Sequence, residues 1–407
     1  MSEMIKIHVE ALQDPNLNID DFIKSVGYRP HTNSLSRHFF PELSENSICI
    51  DSGYAVGPNG LNILNCDLDI IVHYLLSNWK VGMKIVFDNS HEGGSGILYS
   101  RIHQVVKLSN IPHNNFYYIN GLVNNIELYE TFCLQNNIIE KINICAINTF
   151  EFQANATLKI LKTPTIDNKP KEKTYLCFNR TLRPHRLILL SLLLRENLVD
   201  AGSYSFFQNN IVDNNLYNSF VGTHEGYFDK QLLDEAKKSY LANINRLPLR
   251  LNIEQSQNKI SLDHDDYTYF ENSLLSLVTE TFYFEEAFKD NCGNNIKFND
   301  GIFFTDKIFK PISMCHPFIL VSRPHMLKSL RQLGYKTFSP FINEDYDDIE
   351  HNGERLIAIV NELKRIHNLS NEEKKKWIIN VLPMAIHNYK HIKSKKDLSC
   401  FILNKNF

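Results

Sequence analysis

Asn179, Arg180, Arg183, His185 and Arg186 crowd the point where the apolar run TYLCFN gives way to the helix-like PHRLILLSLLLREN. Three arginines beside a helix N-terminus suit an anionic ligand, because guanidinium forks and free backbone N–H groups both take phosphate oxygens. A solvated helix start with ordinary surface arginines would share these residues. A second group begins at Glu280, the end of SLVTE, and continues further along with Thr305, Asp306, Lys307 and Lys310. If that strand and that helix are neighbours, Glu280 can accept from ribose or sugar hydroxyls while Lys307 holds phosphate. The plainer alternative is a helix capped by Thr305 and Asp306, with Lys307 and Lys310 in solvent.

A third group is Asp88, His91 and Glu92 with Gly93, Gly94 and Gly96. Transfer to a hydroxyl needs a base within hydrogen-bonding reach of it, and a carboxylate on such a loop can serve. Glu92 is the first candidate and Asp88 the second; the alternative is a turn whose acids cap the next helix. The glycines match neither GxGxxG nor GxxxxGK, the spacings of the common phosphate loops.

The elements that must position these groups alternate along the chain. MKIVFD reads as a strand, Ile97 to Leu108 as a helix, and NFYYI and INICAI as strands. From Leu161 to Lys173 the sequence LKTPTIDNKPKEK has little to bury, as an interdomain linker does. Beyond it TYLCFNR is strand-like, and the next helix carries a proline just inside its start. LLSLVTETFY is predicted as a strand, Thr305 to Cys315 as a helix, PFILVS as a strand, HMLKSLRQLG as a helix closed by Gly334, and YKTF as a short strand. The tail, Asp348 to Lys393, has helical spacing broken near Asn368 and Pro383. Strands alternating with helices imply parallel α/β architecture. The predicted organisation is a first domain over 1–165, a linker at 166–173, a second domain over 174–375 and a helical tail over 376–407.

The stretch FFTDKIFKPISMCHPFILVSRPHMLKSLRQLGYKTF resembles the donor-site segment of GT-B-type glycosyltransferases. It is similar to the (V/I)TEK block of the alpha-1,3-fucosyltransferases and to glycosyltransferase-like proteins of large viruses, phages and bacteria that carry TEKT.KP and LR.LGF.TF. The resemblance extends to YLCFNRTLRPHR and, loosely, to DNSHEGG with FYYINGLVNN. It implies two Rossmann-like domains facing a central cleft, with C-terminal helices, the first domain on the acceptor side and the second holding a nucleotide sugar. Carried over by position, Lys307 and Arg180 would bind the donor diphosphate and Glu280 would contact ribose or sugar, with Arg183, His185 and Arg186 supporting the phosphate site. Asp306 stands where the family usually has Glu, and His316 near a common small residue, so neither fucose nor GDP is fixed as the donor.

Two patterns bear on metal. Asp67-Leu68-Asp69 matches the DxD of metal-dependent transferases, but it precedes the amphipathic IIVHYLLSNW, where helix-start acids explain it. Asp263, His264, Asp265 and Asp266 are consecutive, a spacing that does not converge on one ion without a dedicated loop, and they read as a solvated loop. No metal and no cofactor are expected; a UDP- or GDP-type nucleotide sugar would be the co-substrate, with positive side chains steadying its leaving diphosphate.

The 407 residues include 43 Lys and Arg against 46 Asp and Glu, a formal net charge of -3 that exerts no bulk pull on a polyanion. Basic stretches at Lys374 to Lys376 and Lys390 to Lys396 adjoin Trp377 and Tyr389, but the acids in NEEKKKW favour pairing within the helix. Nucleic acid is therefore not the expected partner. The eight cysteines are scattered without a CxxC pair, as in a reducing compartment. The N-terminus has acids where a signal peptide would be basic, and the longest apolar run, Leu187 to Leu194, is too short to span a bilayer. The sequence thus predicts a cytoplasmic, metal-independent glycosyltransferase acting on a hydroxyl of a glycan, glycoconjugate or protein. Its alternatives are a non-catalytic nucleotide- or glycan-binding protein of the same fold and a DNA-base glycosyltransferase.

Overall fold

The structure is a computed structural model that describes residues 47–51, 68–90, 96–160, 171–179, 182–206, 226–247, 249, 251, 264–284, 287–289, 295–297 and 301–395. These residues fall into two compact units. One holds the described chain up to Thr149 together with Ala287–Phe303; the other holds Phe150–Glu286 and the chain from Phe304 onward. Each is α/β with a four-stranded, fully parallel sheet.

In the first unit β1 (Ser47–Asp51), α1 (Leu68–Asn78), β2 (Lys84–Asn89), α2 (Gly96–Ser109), β3 (Phe116–Asn120), α3 (Asn125–Gln135) and β4 (Asn143–Ala146) follow one another. The sheet order is simply β1-β2-β3-β4. Right-handed crossovers that always advance in one direction place every helix on the same face. The register bears this out: Ile48, Ile85 and Phe116 form one row, and Ile50, Phe87, Tyr118 and Ile144 the next. That face meets Ile71 and Leu75 of α1, Tyr99 and Ile102 of α2, and Tyr129 and Cys133 of α3 in a single core. Asp69 sits in the first turn of α1, where it complements the helix dipole.

The antiparallel pair β8 (Ala287–Lys289) and β9 (Asn295–Lys297) also belongs to this unit. Behind it, Ile302 accepts from the Val123 N–H at 2.8 Å and donates its own N–H to Asn124 Oδ1 at 2.8 Å. The sequence reading placed 287–303 in the second domain; these bonds and the fit of Phe303 against Gly121 put it in the first unit.

The second unit contains α4 (Thr149–Ile160), β5 (Lys173–Asn179), α5 (Pro184–Arg195), β6 (Gly202–Phe206), α6 (Lys230–Ala242), α7 (His264–Asn272), β7 (Ser273–Thr279), α8 (Asp306–Ser313), β10 (Phe318–Val321), α9 (Met326–Gln332), α10 (Asn352–His367) and α11 (Asn371–Ser394). Its sheet order is β10-β7-β5-β6. From β5 the chain moves outward to β6, then returns past β5 to β7 and on to β10, so the winding direction reverses between β5 and β7. The leucines of α5 are buried all round the helix.

Several sequence expectations change here. Only 171–173 of the 166–173 linker lies among the described residues. The helix α4, assigned by sequence to the first domain, is tied into the second unit through Asn155 Nδ2, which donates to Ile392 O at 2.7 Å. The boundary at 375/376 falls inside the single helix α11, which also runs through Pro383. Trp377, Val381, Ala385, Asn388 and Ile392 are buried on both sides of that proline, and this packing holds the helix together at the cost of one backbone bond. YKTF is not a strand, because Asn388 takes the place of a strand partner: its amide accepts from Lys336 N at 2.7 Å and donates to Lys336 O at 2.8 Å. His264, Asp265 and Asp266 open α7 instead of lying in a loop. In the tail, Lys375 pairs with Glu372 at 2.9 Å and Lys374 donates to His367 O at 2.7 Å.

Candidate functional site

In an open parallel sheet the strand ends diverge where the winding reverses, and ligands bind outside the carboxyl ends at that point. Here the reversal lies between β5 and β7, which end at Asn179 and Thr279, and the two residues are joined by a hydrogen bond from Thr279 Oγ1 to Asn179 Oδ1. Asn179 is held from its other side by Tyr204 OH, 3.1 Å from its Nδ2.

Glu280 directly follows β7 and is 1% exposed. Its carboxylate accepts from Thr305 Oγ1 at 2.6 Å and from the Thr305 N–H at 3.2 Å, which clamps the end of β7 to the start of α8. Burial pushes this carboxyl above its ordinary range against the attraction of Lys307 and the Thr305 hydrogen bonds. Thr305 is also the N-cap of α8, accepting from the Lys307 N–H. The plain capping role weighed from sequence is therefore present, and the same residue binds Glu280.

His185 and Arg186 lie in the first turn of α5, and both face the chain instead of solvent. His185 Nε2 donates to Glu280 O at 3.1 Å, and Arg186 donates to Thr279 O at 3.0 Å and Glu280 O at 3.3 Å. Burial first, then the neighbouring Arg186 charge, hold the His185 imidazole well below its ordinary range, so it is neutral. The structure gives these two residues the task of fixing α5 against the end of β7. Arg183, the half-buried N-cap of α5, remains at the helix entrance.

Lys307 is the cation that faces the edge. Its Nζ lies 3.2 Å from Thr305 Oγ1, 3.3 Å from Thr281 Oγ1 and 3.4 Å from Asp306 Oδ1, all long for ammonium hydrogen bonds. The Lys307 and Asp306 side chains are each 29% exposed. Burial raises the Asp306 carboxyl, but Lys307 and then Lys310 outweigh it and hold the group below the usual carboxylate range. The N-termini of α5 and α8, with Lys307 and Arg183, form a positively polarised edge that can bind an anion.

Of the sequence-predicted residues, Arg183, His185, Arg186, Glu280, Thr305, Asp306 and Lys307 gather at this edge, and Lys310 sits one turn further along α8. Asp88 is on β2, in register with Asp51 and Ile119. Arg180, His91 and Glu92 lie outside the described residues. Among the described residues no group of three or more His, Cys, Asp or Glu is arranged to hold a metal ion, and no helix is long and apolar enough to cross a membrane.

Sequence reasoning missed Thr281, Tyr283 and Arg355. Arg355 of α10 is 1% exposed and donates to Ser322 O at 3.0 Å, Tyr283 O at 2.9 Å and Ile349 O at 2.7 Å. Its guanidinium lies 4.4 Å from the centre of the Tyr283 ring, which in turn stacks on His185 at 5.1 Å. Nothing in GERLIAIVNELKR separates this arginine from the solvated charges beside it.

Comparison with protein-family models, curated proteins and solved structures finds no match to this chain.

Proposed function

We propose that the protein is a GT-B-type glycosyltransferase that moves a sugar from a nucleotide-diphosphate sugar to an acceptor hydroxyl, with the donor held at the carboxyl edge of the second sheet. The observation that carries the reading is the convergence of Lys307, Arg183 and two helix N-termini at the winding reversal between β5 and β7. The long hydrogen bonds of Lys307 to neutral hydroxyls are ones that a phosphate oxygen would replace with shorter, charge-assisted ones.

In this reading the acceptor oxygen bonds to the anomeric carbon as the bond from that carbon to the diphosphate oxygen breaks. The electron pair leaves with the nucleotide diphosphate, whose charge Lys307, Arg183 and Arg180 steady without a metal. The acceptor proton passes to Glu92 or Asp88. Glu280, Thr305, His185 and Arg186 hold the edge in place, and sugar contact by Glu280 would require its carboxylate to share itself with Thr305.

The test is a thermal-shift series with UDP, GDP, CMP and ADP, with and without Mg²⁺. One nucleoside diphosphate is expected to raise the melting temperature without metal, and Lys307→Ala, folded by circular dichroism, to weaken that ligand by about tenfold or more. No shift with any nucleotide, or an equal shift in the variant, would overturn the assignment. Binding with neither transfer nor donor hydrolysis would point to the non-catalytic alternative.

A further inference from the structure

The amino edge of the first sheet carries aliphatic side chains that its core does not use. Leu76 lies in the last turn of α1, Leu108 in the last turn of α2 and Leu134 in the last turn of α3, and all three are exposed. The turns that lead from α1 and α3 back into the strands add Val81, 93% exposed, and Ile139, 92% exposed. Among the described residues two other large hydrophobic side chains are exposed: Ile126, which opens α3 at the opposite edge, and Ile379, which belongs to the second unit. Hydrophobic residues scattered singly over a surface need no explanation, but five of seven at one edge of one unit do.

The topology brings these five together. Each crossover returns its helix antiparallel to the strands and on one face, so the C-termini of α1, α2 and α3 all reach the amino edge, with α2 packed between its two neighbours. Packed helices stand about 8–10 Å apart, so the three leucines form a row roughly 20 Å long. Val81 is at the tip of a turn closed by Met83 N–H to Lys80 O at 2.9 Å, with Gly82 at φ 93°. The turn that holds Ile139 leads into Asn143, whose Nδ2 donates to Asn114 O at 2.9 Å and so joins it to the turn that follows α2.

The charges beside the aliphatic tips select the partner. Lys80 precedes Val81 and Lys107 precedes Leu108; both lysines are exposed, and neither has an acidic partner among the described residues. The described acids of this edge are matched locally, Glu130 with Lys141 and Glu140 with His113 at 3.6 Å. Protein interfaces seat their apolar anchors in a packed centre and are depleted in lysine. Aliphatic tips that stand free beside lysines suit a lipid interface, where the tips enter the headgroup and acyl boundary and the ammonium groups meet anionic headgroups.

We infer that the amino edge of the first unit docks on an anionic phospholipid membrane surface, with Val81, Ile139 and the three helix-end leucines entering the headgroup region and Lys80 and Lys107 reaching lipid phosphates. The contact is peripheral and reversible, since five aliphatic side chains supply far less apolar surface than a spanning helix. It is independent of the donor reading, whose edge lies in the second unit.

Cosedimentation of the full chain with vesicles of phosphatidylcholine alone, and of phosphatidylcholine mixed with phosphatidylserine, tests this at low salt. Binding is expected on the mixed vesicles and about tenfold weaker on phosphatidylcholine. Val81→Ser with Ile139→Ser, at tip positions that should leave the melting temperature intact, should weaken binding to the mixed vesicles about tenfold or more. Lys80→Gln with Lys107→Gln should weaken it about tenfold and leave phosphatidylcholine unchanged. Ile126→Ser, at the opposite edge, should change neither. Absence of binding, equal binding to both vesicle types, binding that survives the tip substitutions, or an equal loss in Ile126→Ser would overturn the inference. A dimer in sedimentation velocity that the tip substitutions dissolve, with no vesicle binding, would also overturn it and give this face to a second copy of the chain.

Discussion

The two sheets are both parallel and four-stranded, yet they are wound differently and stabilised differently. The first advances steadily from β1 to β4 over an apolar and aromatic core in which Phe87, Phe116, Tyr99, Tyr118 and Tyr129 meet. The second reverses at β5, and its carboxyl edge is crowded with buried polar groups: Asn179, His185, Arg186, Thr279, Glu280 and Arg355. Buried polar groups cost free energy unless each is paired, and here they are paired chiefly with one another and with the strand-end carbonyls. The reversal opens a place for a ligand, and the polar lattice fixes its walls.

If that contrast is right, removing one member of the lattice should cost the most. Arg355→Ala leaves the carbonyls of Ser322, Tyr283 and Ile349 without their buried donor and is expected to lower unfolding free energy by about 4 kcal/mol, read from the urea midpoint. A loss under about 1 kcal/mol would show that the lattice is incidental.

The second unit should also respond to acid through His316. Its folded-state value, depressed by burial to about 4 from 6.5, favours the neutral form, so its stabilising contribution is fully present above pH 6.5 and is lost as pH falls toward 4. The expected loss is about 3 kcal/mol. Urea midpoints between pH 4 and 7 should fall more steeply in the parent than in His316→Gln.

In the first unit, close backbone packing should be the point of weakness. A Cβ at Gly121 would lie 2.6 Å from Ser90 O and 2.5 Å from the Phe303 ring, so Gly121→Ala is expected to cost about 2 kcal/mol. Proteolysis within 287–303 should accelerate in that variant, because Phe303 lies against this glycine. The smallest effect falls on the clamp between β7 and α8. Thr305→Ala removes the cap and one Glu280 hydrogen bond for about 1–2 kcal/mol, and Thr305→Ser, which keeps the hydroxyl, should recover most of it in the same assay.

Much of this was legible in the amino-acid order. The alternation of MKIVFD, NFYYI, INICAI, TYLCFNR and LLSLVTETFY with helical stretches implied parallel α/β sheets, because strand and helix periods are local properties, although the last of these strands ends at Thr279. The candidate site was visible as clusters of Arg, His, Glu, Thr, Asp and Lys around strand ends and helix starts, and seven of those residues do share one edge. Their division of labour was not visible. His185 and Arg186 look like ligand residues beside Arg183, but both donate to Glu280 O, a partner far along the chain.

Distant partners decided the remaining features. YKTF has a strand's composition, yet the Asn388 amide, far along the chain, satisfies the backbone that a neighbouring strand would have paired. Pro383 reads as a helix end, but the apolar stripe on both sides of it is worth more than the bond it removes. By itself the sequence determined most of the strands and helices that carry the site and where charged groups are concentrated, since those follow from neighbours within a few residues. The winding reversal at β5, the return of 287–303 to the first unit and the burial of Arg355 were decided only in the tertiary structure, because each depends on pairings between residues whose separation along the chain carries no local signal.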